Sequence, residues 1–99
     1  MALQKISPTH VESDSGFSLQ PGPMQHYWIY TEGKRKIHVN SEAVHLGRDG
    51  WGLCVYLSTL PDSWLPPDNV YAIPASKREE IAANIQAALQ FLDVKFRVE

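Results

Sequence analysis

One cysteine, no apolar run long enough to span a membrane and no surplus of positive charge set the first limits on this chain. The lone Cys54 excludes an intramolecular disulfide framework, so the fold must rest on its own core. No stretch approaches the roughly 20 apolar residues of a spanning helix, which argues against a membrane protein. The first eight residues, from Met1 to Pro8, lack the basic flank and continuous apolar centre of a signal peptide, so a soluble, cytoplasmic protein is expected. Nine Lys and Arg against eleven Asp and Glu give a net charge of −2. That balance speaks against nucleic-acid binding, which needs clustered cations to displace counterions. The one basic run, Lys34-Arg35-Lys36, is short and reads as a solvated hairpin tip.

What is present fits one small globular domain. Apolar residues at 43% and charged residues at 20% are ordinary usage, and 99 residues can bury a single adequate core. Residues 1–25 are polar and punctuated by Pro8, Gly16, Pro21 and Pro23, and read as a partly flexible N-terminal arm. Short extended pieces at Lys5–Ile6 or Phe17–Leu19 leave open whether a first strand forms there. The denser sequence of residues 26–99 reads as one α+β domain.

Within it, His26–Thr31 carries the aromatic and β-branched residues of a strand, and Arg35–Asn40 alternates at Ile37 and Val39. Together they form a hairpin around Gly33. A two-residue turn would put Trp28 and Tyr30 on the face of Ile37 and Val39; a three-residue loop would substitute Tyr27 and Ile29. Ala43–Leu46 reads as a third strand, Gly47–Gly50 as a turn, and Leu53–Leu57 as a fourth strand. After Pro74 the period changes. Ser76 and Glu79 have the spacing of a capping box. Ile81, Ile85, Ala88, Leu89 and Leu92 then share one stripe of a helix of about four turns. Asp93–Glu99 alternates again, as a terminal edge strand. The expected architecture is an antiparallel β-meander of four to five strands, one amphipathic helix packed on one face, and a C-terminal strand.

The chemistry-bearing residues do not assemble into a catalytic set. His26, His38 and His45 fall on different expected strands with no second ligand at zinc spacing, so no metal or other cofactor is expected. Glu79 and Glu80 suit the first turn of a helix, where they complement its dipole. Glu42 is positioned to pair with Lys36 or Arg48, and no second carboxylate joins it for acid–base work. Gly47–Gly52 lacks the lysine and the strand–loop–helix setting of a phosphate loop. Cys54, inside an apolar strand, reads as a buried thiol rather than a nucleophile. A small enzyme using Cys54 or a histidine pair remains a further reading.

Aromatic residues interleaved with prolines between Trp51 and Pro74 are the most distinctive feature. Consecutive prolines at 66 and 67 cannot lie inside a helix, so Trp64 sits on a stiff loop. Such a side chain either caps the protein's own core or anchors a partner, because aromatics bury much area at little rotamer cost. For Trp64 a lid over the core is favoured; Trp51, on the preceding turn, has the stronger claim to a partner. Trp51, Tyr56, Trp64, Tyr71 and the outward His38 are the candidate partner-binding residues.

Read together, the hairpin Gly33–Val39, Glu42, the strand Leu53–Leu57, Trp64 with Pro67 and the helix opening at Ser76 resemble a small bacterial immunity-protein family associated with polymorphic toxins, the one numbered seventy-four. The resemblance covers about residues 27–99. It implies a cytoplasmic protein that binds a cognate toxin and blocks it, with a protein partner and no enzymatic activity. A homo-oligomeric structural or accessory domain, associating through an edge strand or the aromatic loop, is the alternative.

Overall fold

Alternation of inward apolar and outward polar side chains organises seven strands into one sheet whose spatial order follows the sequence. The structure, a computed structural model, describes residues 2–24 and 26–99. The strands are β1 (Leu3–Ser7), β2 (His10–Ser13), β3 (Phe17–Pro21), β4 (Tyr27–Glu32), β5 (Arg35–His45), β6 (Trp51–Val55) and β7 (Phe96–Val98). The first six form an antiparallel meander; β7 then pairs with β6 in parallel, after the chain crosses over through helix α1 (Ala75–Phe91). The sheet is therefore mixed and has more strands than the four or five expected, and the fold is α+β.

Three corrections to the sequence reading have physical causes. Residues expected as an arm form β1, β2 and β3; Met1 and Gln25, the bounds of that segment, lie outside the described residues. Few apolar residues sit there, but Val11, Phe17 and Leu19 all face the core, and cross-strand register supplies the partners that sequence alone hides. The expected second and third strands are one, β5. Its first half pairs with β4 and its second with β6. The change falls between Asn40, whose carbonyl accepts from Tyr56 N (2.9 Å), and Ser41, whose N–H donates to His26 O (3.0 Å). The expected fourth strand shifts to Trp51–Val55, and the terminal strand shortens to Phe96–Val98.

The hairpin takes the two-residue turn. Gly33 adopts φ 60°, which is cheap without a Cβ, and Glu32 faces Arg35 across the strands. Trp28 and Tyr30 thus share the inner face with Ile37 and Val39. Register aligns Val11, Leu19, Tyr30 and Ile37 in one row across four strands, all fully buried.

Helix α1 lays Ile81, Ile85, Ala88, Leu89 and Leu92 against this face, as its periodicity requires. Each buried Ile or Leu contributes about 1.5–3 kcal/mol. The capping box does not form: the helix starts one residue before Ser76, with Pro74 as N-cap and no side-chain cap. Pro74 has no N–H to satisfy, its carbonyl accepts from Arg78 N, and the Arg78 guanidinium donates to Ile73 O (2.8 Å). At the other end, Val94 N bonds Leu89 O (3.1 Å) and Asp93 N bonds Gln90 O (3.0 Å), with Asp93 at φ 59°. This is a Schellman ending that holds an aspartate where glycine is usual.

The segment from Tyr56 to Pro74 closes one end of the core with Trp64 and Ile73. It is tied down by Leu65 N to Lys36 O (2.9 Å), Ile73 N to Asp62 O (2.7 Å) and a bridge between Ser63 and Ala72. The Pro66–Pro67 bond is cis.

Candidate functional site

Strand β5 determines where the expected contact residues fall. Arg35 and His45 are its two ends, about 30 Å apart at strand rise, so side chains near each belong to different surfaces. Trp51, 72% exposed, stands at the far end, its ring edge-on to His45 (5.5 Å, 86°). His45 in turn accepts from Gly47 N through Nδ1 (3.2 Å). Tyr71 lies at the hairpin end, half exposed, with the Arg35 guanidinium 4.2 Å from its ring centre. His38 and Tyr56 occupy the sheet face turned away from the helix. The His38 ring lies 4.2 Å from that of Tyr27, and the Tyr56 hydroxyl donates to Glu42. Trp64 does not belong with them. It is 4% exposed and packs in the core, as a lid would, with only its edge left to the groove beside it.

The hairpin end holds a built feature that the sequence did not disclose. A groove of about 980 Å³ runs between the β2–β3 turn, the β4–β5 tip, the proline loop and the first turns of α1. Phe17 and Trp64 contribute to its lining, and a chain of polar groups crosses it. Asn84 donates to the Tyr30 hydroxyl (3.0 Å), which donates to Glu32 (2.5 Å). Lys77 Nζ bridges Glu32 (2.8 Å) and Glu80 (2.7 Å). Burial, then the bond to Glu32, pushes the Tyr30 hydroxyl far above its ordinary range. For Lys77 burial opposes the charge, but the two carboxylates prevail and raise it. Each member of this chain bonds the next, so it fixes the hairpin to the helix. Beside the groove, Val70 is 79% exposed next to Tyr71. The pairing of Lys77 with Glu80 could be read from i,i+3 spacing; its pairing with Glu32 could not, because the two are far apart in sequence.

On the outer face Cys54 is buried, and its Sγ donates to Glu99 (2.9 Å), which also accepts from Arg97 Nη2 (3.1 Å). The Cys54 and Arg97 bonds hold the Glu99 carboxyl below the usual carboxylate range, and the neighbouring Cys54 and Glu99 raise Arg97. The Glu42 bond likewise raises Tyr56. Cys54 is thus the sheet-face thiol anticipated from its neighbours. Among the described residues no three His, Cys, Asp or Glu side chains gather as a metal ion would require, and no helix is long and apolar enough to cross a membrane.

The arrangement offers exposed aromatics, an open groove and polar groups that bond one another. Comparison with family models, curated proteins and solved structures gives no match.

Proposed function

We propose that this is a small non-enzymatic binding protein that acts in the cytoplasm as an immunity protein, occupying a cognate bacterial toxin domain with its hairpin end. The observation that carries the reading is the pair Val70–Tyr71. Both project from a loop whose backbone is bonded to the sheet and to itself, and Arg35 braces the Tyr71 ring. An exposed aromatic held in place before contact loses little conformational entropy on binding, which is the economy of an interface anchor. The adjoining groove gives such a contact depth. The toxin as partner comes from the resemblance carried by the hairpin, Glu42, Trp64, Pro67 and the helix that follows.

Co-expression tests it. Cells carrying a toxin domain encoded beside this gene are expected to survive when the chain is present. They are expected to lose protection with Tyr71→Ala combined with Val70→Asp, while the melting temperature of that variant stays within a few degrees. Cell death despite well-folded wild-type protein would overturn the toxin assignment. Full protection by the double variant would remove the hairpin end from the interface.

A further inference from the structure

The two edges of the sheet are not equivalent. β1 is blunted by an irregularity between Lys5 and Ser7 and carries Lys5 along it, the usual defences against edge pairing. β7 has no bulge. Its parallel register directs the N–H and C=O of Arg97 toward β6, together with Lys95 O (2.9 Å from Leu53 N) and Glu99 N (3.0 Å from Val55 O). The N–H and C=O groups of Phe96 and Val98 therefore point away from the sheet, and among the described residues they have no partner. Val98 is 41% exposed, and Phe96 is half-buried against the core.

We propose that β7 is a self-association edge, pairing antiparallel with β7 of a second copy about a two-fold axis at Arg97. Only registers that set outward-facing residues opposite one another can form the ladder, which leaves three centres to compare. A centre at Phe96 sets Arg97 against Lys95 of the partner, like charge on like. A centre at Val98 sets Arg97 opposite Glu99 twice but yields a single apolar pair, Val98 on itself. The centre at Arg97 sets Phe96 opposite Val98 twice on the core-side face, and Lys95 opposite Glu99 twice on the other. Two apolar and two opposite-charge cross-strand pairs thus arise from one symmetric register. Against these stands one like-charge pair, because the two Arg97 side chains meet at the axis; each one's own Glu99 (3.1 Å) offsets that repulsion. Lys95, which donates to Asp49 O (3.1 Å), exchanges that exposed bond for the partner's carboxylate. The self-complementarity of the sequence selects a second copy as the occupant. So short a pairing buries less than a standard interface, so the dimer is weak and forms toward millimolar concentration.

Sedimentation or light scattering from micromolar to millimolar concentration tests this proposal without reference to any toxin. The apparent mass is expected to rise from 11.2 kDa toward twice that value. Val98→Pro deletes an outward N–H without touching the β6 ladder, and proline is tolerated at an edge. That variant is expected to stay monomeric throughout, with unchanged circular dichroism. Lys95→Glu sets like charges opposite each other and is expected to weaken the dimer roughly tenfold, with Lys95→Glu plus Glu99→Lys restoring it. A wild-type protein that is monomeric at millimolar concentration overturns the proposal. So does a dimer that persists unchanged in both Val98→Pro and Lys95→Glu.

Discussion

The Arg35 guanidinium lies 4.2 Å from the centre of the Tyr71 ring, joining the hairpin tip to the proline loop across a gap that no backbone bond between these two residues spans. A cation held over an aromatic face at an exposed site is worth about 0.5–1 kcal/mol. The double-mutant cycle of Arg35→Ala and Tyr71→Ala, read by urea unfolding, is expected to return a coupling of that size. A coupling indistinguishable from zero would mean that the loop holds Tyr71 without help from Arg35.

Trp64 and Trp51 are expected to behave as opposites. Trp64→Ala empties a core site and should cost about 3–5 kcal/mol. Trp51→Ala removes an exposed ring and should change stability by no more than about 0.5 kcal/mol. Chemical denaturation of the two variants side by side decides the matter, and similar losses would contradict the burial difference described above.

Tyr30 sets a limit on alkaline stability. Unfolded, its hydroxyl releases a proton near the ordinary value of 10.0; folded, burial and Glu32 make it keep that proton to much higher pH. Above pH 10 the unfolded chain binds fewer protons than the folded one, so stability falls as pH rises. Lys77 acts in the same direction, its charge being favoured in the fold relative to an unfolded value of 10.5. Unfolding curves between neutral pH and pH 11 are expected to show this decline. Tyr30→Phe should flatten it while lowering stability at neutral pH by about 1–2 kcal/mol through the lost hydrogen bonds.

Asp93 occupies a left-handed conformation at the end of α1, which costs a residue with a Cβ about 1 kcal/mol. Asp93→Gly is expected to raise stability by a few tenths to about 1 kcal/mol. A melting curve is enough to check it, and a loss would show that the Asp93 side chain supports the helix end.

Much of the fold was legible because periodicity is a local property. The stripe from Ile81 to Leu92 packs as spaced, and the hairpin turns at Gly33. What was hidden depended on pairing between segments. The inward side chains of β2 and β3 are only Val11, Phe17 and Leu19, too sparse a pattern until β4 supplies the neighbouring row. Ser41 and Glu42 read as a break because they are polar, yet Ser41 is buried within an unbroken strand that changes partner there. The capping box failed because Pro74, as N-cap, starts the helix two residues earlier than Ser76 would. At the candidate site Tyr71 was nameable from sequence, but its support by Arg35 was not. The groove chain from Asn84 to Lys77 likewise exists only once helix and hairpin meet.

The order of the strands also sets a timetable for the chain as it leaves the ribosome. Each of β2 to β6 meets a neighbour synthesised just before it, so the meander can zip progressively through local contacts. β7 cannot join until the whole of α1 has emerged and swung across the sheet, because a parallel neighbour needs that long connection. Until then β6 presents an open flank, and Val55 and Leu53 wait for partners that arrive only after the helix. The nascent protein is therefore most open to mispairing in the interval between release of β6 and release of β7, along the flank of β6.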